Sequence, residues 1–470
     1  MERLLKITSF GAIGVLVAVL VAATLIENIC GSSFVVDCIY HSEWFIALWA
    51  VITVAAIVYI LRVSRRLTLI LLHASFVVVL LGAFLSFLTS KRGDITVAQN
   101  GVPASMFETA DGALEKLPFS LQFAVVDTVV LRGGELPGDY IVHIIADDKE
   151  QITEHTLSLN RPAKIKDYQF CIKGMSGGNL SLIVSRDTLG RSISYLGYAM
   201  AFISFLLLFF DGKSGFKILL QKLKGWRLPK KSAKKKDSDA SLSRLIEKLL
   251  GLLLCILVLL CLLWYRRGVF PATNGVEALM LLAVFVALLA VALRSKKEFV
   301  LLRRVLVVVA SGIAVAAGVC GFEGDGDVQP ILRTPLLGVH VTMIIIAYAL
   351  LACTAVNAVI ALCLKKRKKM ELQALLGRLL FYPATMLLAG GIFIGAVWAN
   401  LSWGRYWGWD PKEVWALVTL LVCSLAFHTR SLPFLAKPVA FHIFCIVAFV
   451  VVLFTFFGVN YLFGGLHSYA

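Results

Sequence analysis

Charge is scarce in this sequence: Asp, Glu, Lys and Arg together supply 16% of its 470 residues, against 59% hydrophobic residues. A water-soluble domain holds about 25% charged and roughly 45–50% apolar residues, so a soluble globular protein is excluded and a bilayer is the natural solvent for most of the chain. The mean hydropathy of +0.84 agrees. Acidic residues are scarcer still, 29 against 46 basic ones, for a net charge of +17. Nucleic acid is not the partner this implies. The basic residues cluster in short runs between apolar stretches and form no single face, a pattern that sets membrane topology. Histidine is rare too, with eight in all, so each can be weighed.

Crossing a bilayer takes about 20 apolar residues, and about eleven stretches qualify. They lie near 7–26, 44–61, 67–89, 193–210, 244–264, 276–293, 300–320, 336–364, 380–398, 414–428 and 438–457. The first follows Met1-Glu2-Arg3-Leu4-Leu5-Lys6 and lacks an A-x-A-like cleavage site, so it reads as a retained anchor with the amino terminus inside. Arg62 to Arg66, the stretch 211–243, Arg294 to Arg304 and Lys365 to Lys369 then all fall on the inner side, as the positive-inside rule requires. Glu323-Gly324-Asp325-Gly326-Asp327 falls outside, and Arg266 and Arg267 are the chief exceptions. An odd number of spans leaves the carboxyl terminus outside.

Residues 90–190 break the apolar pattern. Alternating runs such as Phe119-Ser120-Leu121-Gln122-Phe123 and Leu180-Ser181-Leu182-Ile183-Val184 predict half-buried strands, and Arg132 to Glu135 and Ser176 to Asn179 carry turn signals. The expected fold is therefore a polytopic α-helical membrane protein with a small external β-rich domain. A basic stretch at 211–243, with Lys230-Lys231 and Lys234-Lys235-Lys236, has the composition of a solvated linker. It separates a first half, 1–210, with four spans from a second, 244–470, with seven. Contact of the linker with anionic lipid headgroups is a further reading. Cys255, Cys261, Cys353, Cys363, Cys423 and Cys445 lie inside apolar segments and are expected to pack as small hydrophobes. A Cys30–Cys38 disulfide is permitted outside the cell, but spacing alone does not decide it.

The most informative stretch runs Trp398-Ala399-Asn400-Leu401-Ser402-Trp403-Gly404-Arg405-Tyr406-Trp407-Gly408-Trp409-Asp410-Pro411-Lys412-Glu413-Val414-Trp415. Five tryptophans in eighteen residues, of nine in the chain, exceed what an interfacial aromatic belt explains. Indoles offer flat apolar faces with N–H donors at their edges, which suits a planar porphyrin. The stretch closely resembles the tryptophan-rich "WWD" signature of heme-handling proteins, specifically the CcsA (ResC) component of the system II cytochrome c synthases. Leu332 to Val341, containing His340, resembles that family's first external histidine segment, and Gly458 to Tyr469, containing His467, its second. In the first half, Ile39 to Phe45, Leu72 to Phe76, Leu159-Asn160-Arg161-Pro162, Ser181 to Asp187 and Tyr195 to Gly197 resemble the partner component, CcsB (ResB). The whole chain thus resembles a CcsBA fusion, although its external domain is short beside the family's usual one.

The resemblance implies heme b, held ferrous, as substrate. Heme iron takes histidine as axial ligand. His340 and His467 share the side of the Trp loop and are the expected outer ligands, with Trp398, Trp403, Trp407, Trp409, Asp410 and Trp415 lining the heme. His73 lies about six residues into the third span, roughly 9 Å from its inner end, and His428 stands at the inner end of the tenth. The resemblance assigns them to a second, membrane-embedded heme site, and an ionisable residue inside a span is usually functional. His442 is the rival for that site. His41, His143 and His155 read as surface residues. Asp410, Lys412 and Glu413 are candidates to fix the loop, and Arg405 to pair with a heme propionate.

No C-x-x-C-H occurs in the chain, so a covalent attachment site would belong to a partner. The implied activity is that of a cytochrome c synthase, or heme lyase. Heme enters at the inner pair, moves to the Trp loop, and is attached through thioethers to the C-x-x-C-H of an exported apocytochrome c. No single residue is assigned as acid or base. Membrane lipids and a thiol-reducing protein complete the partners the reading admits, in a bacterial inner membrane or, alternatively, facing a thylakoid lumen. The rival functions are a heme carrier without ligase activity, a b-type transmembrane electron-transfer protein, and a solute transporter. The external domain argues against the first, the loop placement of the outer histidines against the second, and the Trp loop against the third.

Overall fold

The computed structural model describes residues 2–62, 66–99, 101–130, 137–226, 238–267, 275–294, 299–319, 334–364 and 366–463. In chain order its helices are α1 (Glu2–Cys30), α2 (Ser32–Val35), α3 (Glu43–Arg62), α4 (Leu67–Thr89), α5 (Leu189–Phe210), α6 (Gly215–Gly225) and α7 (Ser238–Arg267). They continue as α8 (Gly275–Ala292), α9 (Val300–Val319), α10 (Pro335–Leu364), α11 (Arg367–Trp403), α12 (Pro411–Ser424), α13 (Pro438–Leu453) and α14 (Val459–Leu462). Nine helical stretches among the described residues are long and apolar enough to cross a membrane. The protein is a polytopic helical membrane protein.

Each expected span falls on a helix, but two differ from expectation in length. The stretch near 414–428 contains the 14-residue α12 followed by a 3-10 turn, Leu425–Phe427. At 1.5 Å per residue α12 is about 21 Å long, short of the roughly 30 Å of a hydrocarbon core. α11 instead extends to 37 residues around an internal Pro383. The basic linker begins with α6, whose N-cap Ser214 accepts from the Lys217 N–H at 3.1 Å; 227–237 lie outside the described residues.

Between α4 and α5 stands an eight-stranded antiparallel sheet: β1 (Lys91–Ala98), β2 (Ala104–Thr109), β3 (Leu114–Val130), β4 (Pro137–Asp147), β5 (Ile152–Leu157), β6 (Ala163–Ile165), β7 (Tyr168–Ser176) and β8 (Asn179–Arg186), in the order β5-β4-β3-β2-β1-β8-β7-β6. The alternation does what period two demands: Phe119, Leu121 and Phe123, and Leu180, Leu182 and Val184, are buried together in the core of this domain. Gly177 and Gly178 both take positive φ, +58° and +78°, the geometry of a tight hairpin turn. The turn signals at 132–135 lie outside the described residues.

Two helices carry this sheet, and they touch backbone to backbone. A Cβ on Gly82 would lie 2.5 Å from the Ser194 amide nitrogen, and one on Gly190 2.4 Å from that of Ser86. Small residues permit this approach, as is common where transmembrane helices pack. β1 and β8 continue the contact directly, pairing from Lys91↔Arg186 onward. The two halves of the chain also interleave. Leu16 and Leu20 of α1 cluster with Val414 and Val418 of α12, while Tyr198 and Phe205 of α5 join Tyr348, Phe381, Phe393 and Phe441 from α10, α11 and α13. Cys353, Cys423 and Cys445 are buried as small hydrophobes, whereas Cys255, Cys261 and Cys363 face outward from the bundle; Cys30 and Cys38 are free thiols.

Candidate functional site

His73, in the first third of α4, meets His428, the residue that follows the 3-10 turn after α12. Their ring centroids are 6.2 Å apart with planes at 90°. His73 Nδ1 lies 2.8 Å from the Leu69 carbonyl and His428 Nδ1 lies 3.0 Å from the Ser424 carbonyl. A carbonyl only accepts, so each Nδ1 carries the proton and each Nε2 keeps its lone pair, the tautomer a metal ligand needs. Tyr59 of α3 stands 5.2 Å from the His73 ring and Phe10 of α1 stands 5.5 Å from the His428 ring. Four segments of the chain thus converge here. A cavity of about 180 Å³ is lined by Arg378, Phe381, Tyr382, Phe427 and Thr429; neither His73 nor His428 lines it.

His442 does not join this pair. It is fully buried on α13, and its Nε2 lies 3.1 Å from the Met370 carbonyl of α11. His340 sits near the start of α10, where its Nδ1 lies 2.7 Å from the Gly391 carbonyl of α11. Gly395 leaves the room: a Cβ there would come within 2.6 Å of the imidazole. His467 lies outside the described residues. His143 and His155 lie on the sheet, against Glu154 and Thr153, and His41 packs on Phe87.

The Trp loop begins where α11 ends. Gly404 takes a left-handed conformation, φ +70°, and donates to the Asn400 carbonyl at 3.0 Å, the glycine stop that releases a chain from a helix. Its other end is a capping box. Asp410 accepts from the Lys412 N–H at 3.0 Å, and the Glu413 carboxylate accepts from the N–H groups of Gly408 at 2.8 Å and Asp410 at 3.3 Å. Pro411 at the first helical position suits the start of α12. Lys412 donates to the Asn460 side chain at 2.5 Å. Burial pulls its amine down to about 8, against the opposing pull of Asp410.

The indoles stand edge to face and do not form one flat shelf. Trp398 is buried and meets Trp403 at 4.8 Å, while Trp407 and Trp409 meet at 5.8 Å. Trp409 adopts φ +58° and stacks on Tyr40 of the first half, centroids 4.4 Å apart and planes 11° apart. Trp415 faces away from the loop, donating to Thr24 Oγ1 of α1 at 3.1 Å and packing on Phe454.

The eight-stranded sheet caps the end of α11. The last turn of any helix leaves carbonyls without helical partners; here β-domain donors take two of them, Leu401 and Trp403, and add a second bond to Asn400, which already accepts from Gly404. Gln169 donates to Asn400 O at 2.7 Å, Arg92 to Trp403 O at 3.2 Å, and the Cys171 thiol to Leu401 O at 3.6 Å. Asn160 accepts from Trp398 Nε1 at 3.2 Å and from the Ser402 hydroxyl at 2.8 Å. Tyr406 reaches down to Ser86 of α4 at 2.8 Å, and Ser86 donates on to Asp187 at 2.6 Å. Burial at this joint pushes the Cys171 thiol up to about 11. Of these anchors, the sequence motifs cover Asn160, within Leu159-Asn160-Arg161-Pro162, and Asp187, at the end of Ser181 to Asp187; no local signal marks Arg92, Gln169 or Cys171.

Residues 272–467 match the cytochrome c assembly protein family, and residues 62–192 match the ResB-like family. The chain therefore joins ResB-like and cytochrome c assembly regions in one polypeptide, a fusion of the CcsBA type, and its work lies in cytochrome c maturation. Among curated relatives, the cytochrome c biogenesis protein CcsA of Solanum lycopersicum is 29% identical over 256 residues, covering 46% of this chain and 82% of that protein. That of Chlamydomonas reinhardtii is 35% identical over 236 residues, covering 46% and 65%.

Proposed function

We propose that the protein is a cytochrome c synthase that takes up heme at His73 and His428, passes it outward, and attaches it to exported apocytochromes c. The observation that carries this reading is the 6.2 Å separation of two imidazoles from opposite halves of the chain. Two imidazoles bound to one iron at about 2 Å each place their centroids roughly 6 Å apart. Among the described residues no group of three His, Cys, Asp or Glu could hold an ion. Two histidines alone therefore suit a metal that brings its other ligands with it, as a porphyrin does.

At the outer face, His340 and His467 are the axial ligands in this reading, Trp398, Trp403, Trp407, Trp409 and Asp410 line or support the heme, and Trp415 ties the start of α12 to α1. An apocytochrome presents C-x-x-C-H, its histidine replaces one axial ligand, and each thiol adds across a vinyl group, S–H giving its sulfur to one carbon and a proton to the other. Ferrous heme and reduced thiols enter this addition, so no net redox change occurs. The chain contributes position: a thiol held beside a vinyl gains a large effective concentration. The external sheet capping the Trp loop supports attachment over simple carriage, because it ties an exported domain to the heme-handling loop. The reading divides the chain into 1–210, 211–243 and 244–470. It places the protein in a bacterial inner membrane, with the amino terminus cytoplasmic and the Trp loop and carboxyl terminus outside.

The test is co-expression with an exported C-x-x-C-H reporter in a bacterium without its own c-type maturation genes, followed by heme staining of denatured protein. Stain at the reporter's mass, abolished by His340→Ala or His467→Ala, is the expected result. An inserted, heme-loaded protein that leaves the reporter unstained would make it a carrier.

A further inference from the structure

The outer site of the proposed reading would have to orient heme as well as hold its iron. Heme carries two carboxylates on one edge and its two vinyl groups toward the opposite one, so fixing the carboxylates decides which edge an incoming thiol meets. Two arginines from different halves flank the Trp loop. Arg92, on β1, donates to the Trp403 carbonyl at 3.2 Å. Arg405 lies in the loop itself and folds over Gly408, where a Cβ would come within 2.5 Å of the guanidinium carbon. Both are partly buried. Burial and the neighbouring Arg405 charge pull Arg92 down to about 10. Asp94 attracts Arg92 at longer range, but it is itself paired with Lys173. Arg191, the third arginine at this joint, is held by Gln169 and by Asp187 through its backbone.

Two like charges gathered at the rim of an apolar aromatic loop are costly unless an anion joins them. A guanidinium has the fork geometry that matches a carboxylate. We infer that Arg92 and Arg405 form a binding site for the paired carboxylates of a porphyrin, built jointly by the ResB-like and cytochrome c assembly regions. The site turns the vinyl edge outward, toward the apocytochrome. Arg92 has a second bond, to the end of α11, so the external sheet supplies a ligand contact in addition to support. This inference rests on the outer heme site proposed above.

The experiment compares the affinity of the purified full-length chain for heme and for heme dimethyl ester, which keeps iron and vinyl groups but lacks the carboxylates. It is done in a His73→Ala, His428→Ala background, so that only the outer site is read. A preference for heme of roughly tenfold or more is expected. It should collapse toward unity in Arg92→Gln with Arg405→Gln, through weaker binding of heme and little change for the ester, and Arg92→Lys should restore part of it. Equal affinity of the parent for both compounds would overturn the inference, as would a preference that survives both substitutions. Failure of the parent to bind either compound would overturn the outer heme site itself and this inference with it. The comparison of two ligands on one protein does not depend on the variants folding.

Discussion

The inner histidine pair and the outer Trp loop are built in different ways. The inner pair is set by helix packing: His73 and His428 meet because α4 and the end of α12 are fixed in the bundle, and each ring is locked by a carbonyl four residues earlier in the chain. The outer loop has little regular structure between Gly404 and Asp410, and hydrogen bonds from a separate domain hold its approach. Packing gives the first site one geometry. The second depends on a joint between two domains.

Removing a member of the inner pair should have the largest effect. His73→Ala or His428→Ala should lower heme retained at the inner site by about tenfold or more, measured as hemochrome in purified protein, and exogenous imidazole should restore part of it. His442→Ala should leave that signal in place. If His442→Ala emptied the site and His428→Ala did not, the comparison would fail at its first term.

The joint comes next. Asn160→Ala removes an acceptor shared by Trp398 and Ser402, a change worth about 1–3 kcal/mol. Heme attachment to a reporter should fall while hemochrome at the inner pair stays unchanged. Gly404→Ala should act in the same direction more weakly, since a left-handed alanine costs about 1–2 kcal/mol and its Cβ would lie 3.1 Å from Ser185 Oγ. Equal loss at both sites would show that the bundle and the loop are one unit.

The smallest effect concerns pH. Lys412 titrates near 8 in the folded protein, below its ordinary range, so above that value the unfolded chain binds more protons than the folded one. Stability contributed by this group therefore rises with pH from about 8 until the unfolded lysine also deprotonates. A thermal melt of the detergent-solubilised protein should show that rise, and Lys412→Met should flatten it.

Most of the bundle could be read from hydropathy, because a span needs only length and apolar composition. The shortness of α12 could not. Val414 to His428 has the composition of a span, and only the capping box at Asp410 and the 3-10 turn at Leu425 set its true length. The strands of the external domain were visible where alternation is clean, as in Phe119 to Phe123. The inner histidines could be ranked by shared depth and resemblance, but their meeting is a property of packing between residues 355 positions apart. Arg92, Gln169 and Cys171 carried no local signal at all, since they act on carbonyls more than 200 residues away.

α4 bears on both sites at once. His73 lies toward its inner end and Ser86, which receives Tyr406 of the Trp loop, toward its outer end. They stand thirteen positions apart on one unbroken helix, about 20 Å. Mechanically, this helix is a gauge rod that sets both the separation of the two stations and their relative angle. A single inserted residue would turn one end by about 100° against the other, swinging His73 out of line with His428 or Ser86 away from Tyr406. The spacing of the sites is thus cut into one helix.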